Sequence, residues 1–266
     1  MKHSLISYRR LAVSGCLSLV TPAMAAVNID YVRIENVGNS SDPTTGYGSV
    51  FYIYQIARNE TTVSQYAEFL NIAAKTDPYG LYNTGMATDA NSAGITRSGS
   101  SGSYTYSVLS GAGNRPITYV SWFDAARFTN WLHNGQGNGS TETGAYTLGG
   151  ATSGIFTKNV TATVWLPSEN EWCKAAYYDP TPGAGGGDNY WRYATQSDAL
   201  INNTVSANYI DGDYAVTQSP TGSSSQNYLT NVGSYETASD SFYGTNDQTG
   251  NVLEWNDAII SGTQRG

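Results

Sequence analysis

Cysteine usage limits how this chain can fold. The 266 residues contain two cysteines, and one of them, Cys16, lies in the N-terminal stretch 1–25, which has the features of a cleaved signal. A mature chain with Cys173 as its one thiol cannot form an intrachain disulfide. His133 would likewise be its one histidine, which excludes a Cys/His zinc cluster within the chain, and no cysteine pair remains for redox chemistry. The mature chain therefore has to fold without disulfide bridges.

Residues 1–25 are predicted to be a secretory signal peptide. A basic start is followed by the apolar run 11–20 and by a small-x-small cleavage site at Ala23-Met24-Ala25. The apolar run is too short to span a bilayer, and no other stretch is apolar enough to do so. We therefore expect cleavage after Ala25 and a secreted or periplasmic protein with no membrane span.

Two other interpretations of this N-terminus stay open. Val13-Ser14-Gly15-Cys16 is similar to a lipoprotein cleavage box, which would anchor the protein through Cys16, and Arg9-Arg10 is similar to a twin-arginine signal. A lipoprotein box would leave only Leu11 to Gly15 as the apolar region. The signal peptide is therefore the preferred interpretation.

The charge of the mature chain excludes two classes of partner. Loss of Lys2, Arg9 and Arg10 leaves 10 basic against 21 acidic residues, a formal net charge of −11. Nucleic acids and anionic membranes both repel such a protein, so neither is expected as a partner.

Three helices are predicted from capping residues and apolar spacing. Apolar residues repeat at helical spacing from Val63 onward. Ser121 and Asp124 form a capping box for a second helix, and Ser168 and Glu171 form one for a third. Long loops rich in glycine, serine and asparagine separate these elements. Strands are expected at 27–34, 51–56, 116–120, 160–166 and 230–235, with a hairpin around 104–108. This pattern favours a single loop-rich α+β domain over residues 26–266.

The stretch from Tyr243 to Trp255 is dense in oxygen ligands. It carries the carboxylates of Asp247 and Glu254 and a turn at Gly250 that can direct main-chain carbonyls inward. This is the ligand set that Ca²⁺ selects. In an extended chain Gly250, Val252 and Glu254 also point the same way. The alternative is an Asp/Asn-rich turn leading into a strand, with Glu254 paired to an arginine.

Three sequence blocks taken together are a more specific signal than the stretch from Tyr243 to Trp255 alone. They are Asn114 to Ala126 (N-R-P-I-T-Y-V-S-W-F-D-A-A), Leu166 to Trp172 (L-P-S-E-N-E-W) and Gly250 to Trp255 (G-N-V-L-E-W). In this order they resemble the formylglycine-generating enzyme (sulfatase-modifying factor) family over about residues 46–266. Glu60, Thr62, Gln65, Tyr66 and Phe69 also match the family's first helix. Trp165 stands where the family usually has an arginine.

The resemblance implies a fold and two calcium sites. The fold would be the formylglycine-generating enzyme fold, related to C-type lectins, loop-rich and stabilised by structural calcium. Its second calcium site would use the side chains of Asp247 and Glu254 with the carbonyls of Gly250 and Val252. Its first site would include Asn208 and the carbonyl of Tyr209, although the other ligands of that site cannot be aligned.

The resemblance leaves two functions open. Relatives that act as oxidases convert a sulfatase cysteine to formylglycine with two copper-binding cysteines that follow an R-G-G-S-W block, and this sequence ends at Arg265-Gly266. Cys173 is expected to be a buried helical residue rather than a nucleophile. We therefore expect no catalytic residue here, and a non-catalytic binding or scaffold module whose partner is a secreted protein or peptide such as a sulfatase. The alternative is a fragment of the oxidase, truncated at its C-terminal end, with copper bound by cysteines beyond it.

Overall fold

The computed structural model describes residues 26–199, 209–210, 213–214, 216–235, 240–260 and 263–265. The predicted signal peptide 1–25 and Asn208 lie outside the described residues. The strands are β1 (Tyr31–Ile34), β2 (Tyr54–Ala57), β3 (Ile95–Ser98), β4 (Thr105–Val108), β5 (Tyr209–Ile210), β6 (Asp213–Tyr214), β7 (Ala258–Ile260) and β8 (Thr263–Arg265). The helices are α1 (Val63–Ala73), α2 (Gly85–Thr88), α3 (Trp122–His133) and α4 (Glu169–Tyr177), with a 3₁₀ turn at Gly185–Gly187.

The described strands form four separate antiparallel pairs, β1–β2, β3–β4, β5–β6 and β7–β8. In the first pair Tyr31 lies opposite Ala57 and Ile34 opposite Tyr54. Val32 and Ile34 are buried while Tyr31 is exposed, as expected when successive side chains point to opposite faces. The fold is thus α+β and loop-rich, as the sequence predicts.

The first helix begins where its capping residues predict. The Thr62 hydroxyl accepts from the Gln65 N–H, and the Gln65 side chain accepts from the Thr62 N–H. These two bonds satisfy N–H groups that the first turn leaves without partners. The apolar face of α1 buries Tyr66 and Phe69, which contact Phe128 of α3 with ring centroids 6.0 and 5.4 Å apart. This aromatic contact joins α1 to α3 in the largest core cluster.

The other predicted capping boxes are present at Ser121 and Ser168. Helix α4 packs on the β1–β2 pair, where Ala175 shares a core cluster with Val32 and Ile34. The Tyr54 hydroxyl donates to the main-chain oxygen of Glu171 at 2.5 Å. The N-terminal end of α4 is therefore held against β2.

Three predicted strands are wrong. Residues 116–120 make only an isolated bridge from Pro116 to Thr62, and Tyr119 has a φ of 59°, which belongs to a turn. Residues 160–166 and 230–235 form no ladder in the described part of the chain. Val160 is fully exposed. A β-branched run becomes a strand only where a partner strand is available, which local sequence does not report.

Within the described ranges, no helix has the length and apolar character needed to cross a lipid bilayer.

Candidate metal site and adjoining cleft

The Asp/Asn-rich segment near the C-terminus is held against the residues that follow β2. The main-chain N–H of Asn246 donates to the Arg58 carbonyl at 2.8 Å, and its side-chain amide donates to Asn59 Oδ1 at 3.0 Å. The side-chain amide of Asn251 donates to Glu60 Oε1 at 3.1 Å. Three successive residues after β2 therefore position this segment.

The backbone of the segment turns tightly. Asp247 and Asn251 have φ values of 64° and 57°, in the left-handed region that aspartate and asparagine enter more readily than most residues. Gly250 has a φ of 154°, which side chains rarely allow. The Asp/Asn/Gly composition thus produces the predicted turn.

Asp247 is a buried carboxylate. Its side chain is 3 % exposed, and Oδ2 accepts the main-chain N–H of Gly233 at 2.6 Å. Asp247 therefore ties the 230–235 turn to the segment.

Glu254 is positioned by α4. Its Oε2 accepts the indole N–H of Trp172 at 2.5 Å. The pKa of Glu254 is raised to about 7, chiefly by burial; the hydrogen bond from Trp172 lowers it and the charge of Asp247 adds to the rise. Near neutral pH this carboxylate is therefore only partly ionised unless a cation is close by.

Glu60 adds a third acid that the ligand prediction did not include. It is 8 % exposed, and Oε2 is buried with no hydrogen-bond partner among the described residues. Burial raises its pKa to about 9, and the charges of Asp247 and Glu254 add to that shift. Glu60, Asp247 and Glu254 thus form an acidic cluster, in which the charge of Asp247 opposes ionisation of both Glu60 and Glu254. A bound cation would reverse that effect.

The four predicted ligands of the second calcium site do not all line the same groove. Gly250, Val252 and Glu254 line one groove of about 370 Å³, and Asp247 is not part of its wall. In the described part of the chain no three His, Cys, Asp or Glu side chains are close enough to hold a metal ion. A cation bound here would therefore depend on main-chain oxygens such as those of Gly250 and Val252.

The first calcium site stays a prediction. Asn208 lies outside the described residues. The backbone of Tyr209 pairs with Tyr214 in the β5–β6 hairpin. No further ligand of that site can be assigned from these two positions.

Trp165 replaces the contact that an arginine could make at its position. Its indole N–H lies 3.3 Å from both carboxylate oxygens of Glu171, which also accepts from the Tyr52 hydroxyl at 2.8 Å. The Ser168 N–H donates to Glu171 at 2.7 Å. The donors to this buried carboxylate are therefore neutral groups: an indole N–H, a phenol hydroxyl and a main-chain N–H.

Cys173 is buried within α4, as expected. It is 5 % exposed, and it is the free cysteine of the described residues. Burial raises the pKa of its thiol to about 12, with the charges of Asp42 and Glu169 adding to the shift. A thiol in this setting is almost entirely protonated at neutral pH.

A cleft of about 830 Å³ adjoins the acidic cluster. Its walls come from the β1–β2 pair, from the chain before α4 and from the segment that ends at Trp255. Glu60, Glu171 and Glu254 line it, together with Trp165 and Trp172. The cleft therefore combines aromatic walls with three carboxylates.

The position of Glu60 beside Asp247 and Glu254 was not predicted from the sequence. Glu60 lies two residues before Thr62, the N-cap of α1, so the first-helix match accounts for it without a ligand role. A possible signal was the acid itself, because a carboxylate placed before an apolar helix is costly to bury without a partner. Its contact with Asn251, 191 residues away, exists only in the folded chain.

A family model matches most of this chain. The model of the FGE-sulfatase family, described as the sulfatase-modifying factor enzyme 1-like domain, matches residues 39–263. The crystal structure of CarF is similar, with a TM-score of 0.47 and 21 % sequence identity over 89 % of this chain and 84 % of CarF. A comparison with curated proteins gave no match. The family match covers most of the chain and contains the three sequence blocks that the fold brings around the cleft. This chain therefore belongs to the FGE-sulfatase (sulfatase-modifying factor enzyme 1-like) family.

Proposed function

We propose that this chain is a calcium-stabilised, non-catalytic binding or scaffold module, exported from the cytoplasm, whose partner is a protein or peptide such as a sulfatase. The observation that carries the proposal is the setting of Cys173, which is buried with a strongly raised thiol pKa. Family membership by itself does not supply an activity, because one fold hosts many functions.

Copper does not fit the residues that are present. Thiolates are the ligands that Cu(I) prefers, and oxidation of a sulfatase cysteine by the family's route requires a pair of them. Cys173 supplies a single, protonated and enclosed sulfur in the described part of the chain. We therefore derive no copper chemistry from this chain.

Calcium is the ion that we propose for the predicted site at Asp247 to Glu254. The buried Oε2 of Glu60, which has no hydrogen-bond partner among the described residues, and the raised pKa values of Glu60 and Glu254 support a cation near these residues. Asp247 and Glu254 would hold the ion through their side chains, and Gly250 and Val252 through their carbonyls. A hard divalent ion prefers such oxygens and would offset the repulsion among the carboxylates. The ion would fix the turn at 246–254. It would thereby also hold two contacts of this turn, that of Glu254 with Trp172 of α4 and that of Asn251 with Glu60 after β2.

Binding and catalysis can be tested on the same preparation. The purified chain is immobilised, and a sulfatase polypeptide and a peptide with a Cys-x-Pro-x-Arg sequence are passed over it with calcium and then with a chelator. The same peptide is incubated with the chain and copper, and its mass is followed. We expect calcium-dependent binding and no conversion of cysteine to the aldehyde.

The result also separates the two functions. Conversion of the peptide cysteine to the aldehyde would refute the binding-module proposal and show that the chain is a formylglycine-generating oxidase. If the chain neither binds nor converts the sulfatase polypeptide or the peptide, the proposed partner is wrong. The Cys173→Ala variant is the matched control, because under the proposal it binds as the wild type does.

A further inference from the structure

The loop that follows α3 contains both asparagine–glycine pairs of the chain, Asn134-Gly135 and Asn138-Gly139. Such a pair can convert itself, because the main-chain nitrogen of the glycine can attack the side-chain carbonyl carbon of the asparagine. Glycine favours this attack, since it has no Cβ to shield the nitrogen and its backbone adopts more conformations than that of other residues. Whether a given pair reacts therefore depends on how firmly the fold holds these two groups.

The fold restrains the first pair. The side-chain amide of Asn134 donates to the carbonyl of Ser140 at 2.9 Å and to that of Thr143 at 2.7 Å. The N–H of Gly135, whose nitrogen would have to attack, donates to the Leu132 carbonyl at 3.1 Å. Three hydrogen bonds therefore have to open before Asn134 can react.

The second pair lacks these restraints. Within the described ranges, neither the side chain of Asn138 nor the N–H of Gly139 makes a hydrogen bond. The whole stretch from Gly137 to Ser140 is exposed, so water reaches both reacting groups. Apart from its chain neighbours, Gly139 is also uncrowded, because a Cβ placed on it would have a single atom within 4 Å, the Cβ of Asn134 at 3.9 Å. The nitrogen of Gly139 and the side chain of Asn138 can thus approach each other.

The chain is fixed on both sides of the second pair. Before it, the N–H of Gln136 donates to the Trp131 carbonyl at 2.9 Å, and the Gln136 side chain donates to the Val27 carbonyl at 2.8 Å. After it, the Ser140 carbonyl accepts the amide of Asn134. The conformational change that the reaction needs is therefore confined to a few exposed residues, and the rest of the fold stays in place.

We propose that Asn138 is a modification site, at which the asparagine deamidates spontaneously and the isoaspartyl product becomes a substrate for a protein carboxyl methyltransferase, whereas Asn134 is protected. The Gly139 nitrogen loses its proton and bonds to Cγ of Asn138, and the Cγ–Nδ2 bond breaks to release ammonia. Water then opens the resulting ring. Opening at Cγ gives aspartate, and opening at the main-chain carbonyl carbon gives isoaspartate. The free carboxylate of isoaspartate can take the methyl group of S-adenosylmethionine as the sulfur–carbon bond breaks.

The modification would change the charge of the loop. Residues 134–157 contain one acidic residue, Glu142, and no lysine or arginine. Glu142 is already paired with Arg127. A carboxylate at position 138 would therefore have no cation from this stretch beside it, and methylation would remove its charge again.

The test follows both asparagines in one sample. The full chain is incubated at neutral pH and digested, and fragment ions in mass spectrometry assign to a residue the mass gain that replacement of nitrogen by oxygen causes. We expect Asn138 to convert more than about tenfold faster than Asn134, because three hydrogen bonds protect the latter. In urea the two should convert at similar rates. An isoaspartyl methyltransferase with labelled S-adenosylmethionine should label position 138 after the incubation and not before it.

Three variants complete the design. Gly139→Ala should slow conversion of Asn138 about tenfold, because the added Cβ hinders the attack of the nitrogen. Gly137→Ala is the matched control, since it adjoins Asn138 on the other side and its Cβ would have no atom within 4 Å outside its chain neighbours. This control should convert at the rate of the wild type. Asn138→Gln should remove the methyl label from the loop.

Five results would each overturn the inference. They are an unconverted Asn138, conversion of Asn134 at the same rate in the folded chain, a persistently slow Asn134 in urea, a wild-type rate in Gly139→Ala, and absence of methyl label at position 138. The inference is independent of the proposed binding function, because neither the calcium ligands nor the partner takes part in the reaction.

Discussion

The side-chain amide of Asn251 donates a 3.1 Å hydrogen bond to Glu60 Oε1 and so connects two residues that are 191 positions apart. It joins the entry of α1 to the turn that carries Asp247 and Glu254. The other carboxylate oxygen of Glu60, Oε2, is buried and has no hydrogen-bond partner in the described structure. The charges of Asp247 and Glu254 are close enough to raise the pKa of Glu60.

Removal of the Glu254 charge should abolish calcium stabilisation. Glu254→Gln keeps an acceptor for the Trp172 indole N–H but removes the negative charge that would hold the ion. We expect calcium to raise the Tm of the wild type and to leave that of the variant unchanged, because a ligand bound only by the folded state stabilises it. Calorimetric titration of chelator-treated protein measures the binding directly. Glu35→Gln, at an exposed ion pair, is the control, and unchanged calcium binding by Glu254→Gln would refute the assignment.

Without calcium, the protein should become less stable as pH rises from about 5 to 8. The folded-state pKa values of Glu60 and Glu254, about 9 and about 7, lie above the ordinary value of 4.5. In this range the native state binds more protons than the unfolded state, so the free energy of unfolding falls with pH. Urea unfolding in chelator at several pH values tests the slope.

The variant Glu60→Gln separates the contribution of the Glu60 carboxyl to this pH dependence from the contributions of other titrating groups. It should show a shallower fall than the wild type, while Asp257, with a pKa raised to about 6 by burial, still titrates in both proteins. Calcium should stabilise the wild type more at pH 8 than at pH 5, because its ligands must be deprotonated. Identical slopes in the two proteins would show that Glu60 does not titrate as proposed.

Cys173 should be unreactive in the native protein. Burial and a pKa near 12 leave very little thiolate, so a disulfide reagent at pH 8 should react about a hundredfold or more slowly than with the thiol in urea. Absorbance of the released thiol follows both reactions. Fast native labelling would contradict the burial and would reopen a role for this sulfur.

The ion pair of Arg127 with Glu142 should matter more than an exposed pair. Arg127 is fully buried, lies 2.7 Å from Glu142 and also donates to the Ala151 carbonyl at 2.9 Å. Glu142→Gln should cost about 3 kcal/mol, because it leaves a buried charge without its partner. Glu35→Gln, which breaks the exposed pair with Arg33, should cost less than about 1 kcal/mol. Urea unfolding of both variants provides the comparison, and equal costs would argue against the buried position of Arg127.

Local sequence was sufficient for the helices. Thr62, Ser121 and Ser168 each make a capping box whose partners lie three residues away, so these helix starts depend on contacts within a single turn. The turn at 247–251 is equally local, because aspartate, asparagine and glycine accept positive φ values wherever they occur. The three sequence blocks were likewise enough for the family, which the match over residues 39–263 confirms.

Contacts between distant residues could not be obtained in this way. The run 160–166 has the composition of a strand but no partner in the described structure, and strand formation depends on that partner. Trp165 donates to Glu171 where the sequence indicated only a missing arginine.

The acidic cluster shows the same division. That Asp247 and Glu254 lie near each other follows from their places in one motif, whereas Glu60 comes close to them only in the folded chain, where it accepts the Asn251 hydrogen bond. Its raised pKa comes first from burial and then from the other two charges, and both are properties of the folded chain. Sequence by itself determined the local turns and helix caps, since these depend on neighbouring residues. Tertiary structure alone decided which charges lie together without a counterion, because burial and distance between charges exist only once the chain has folded.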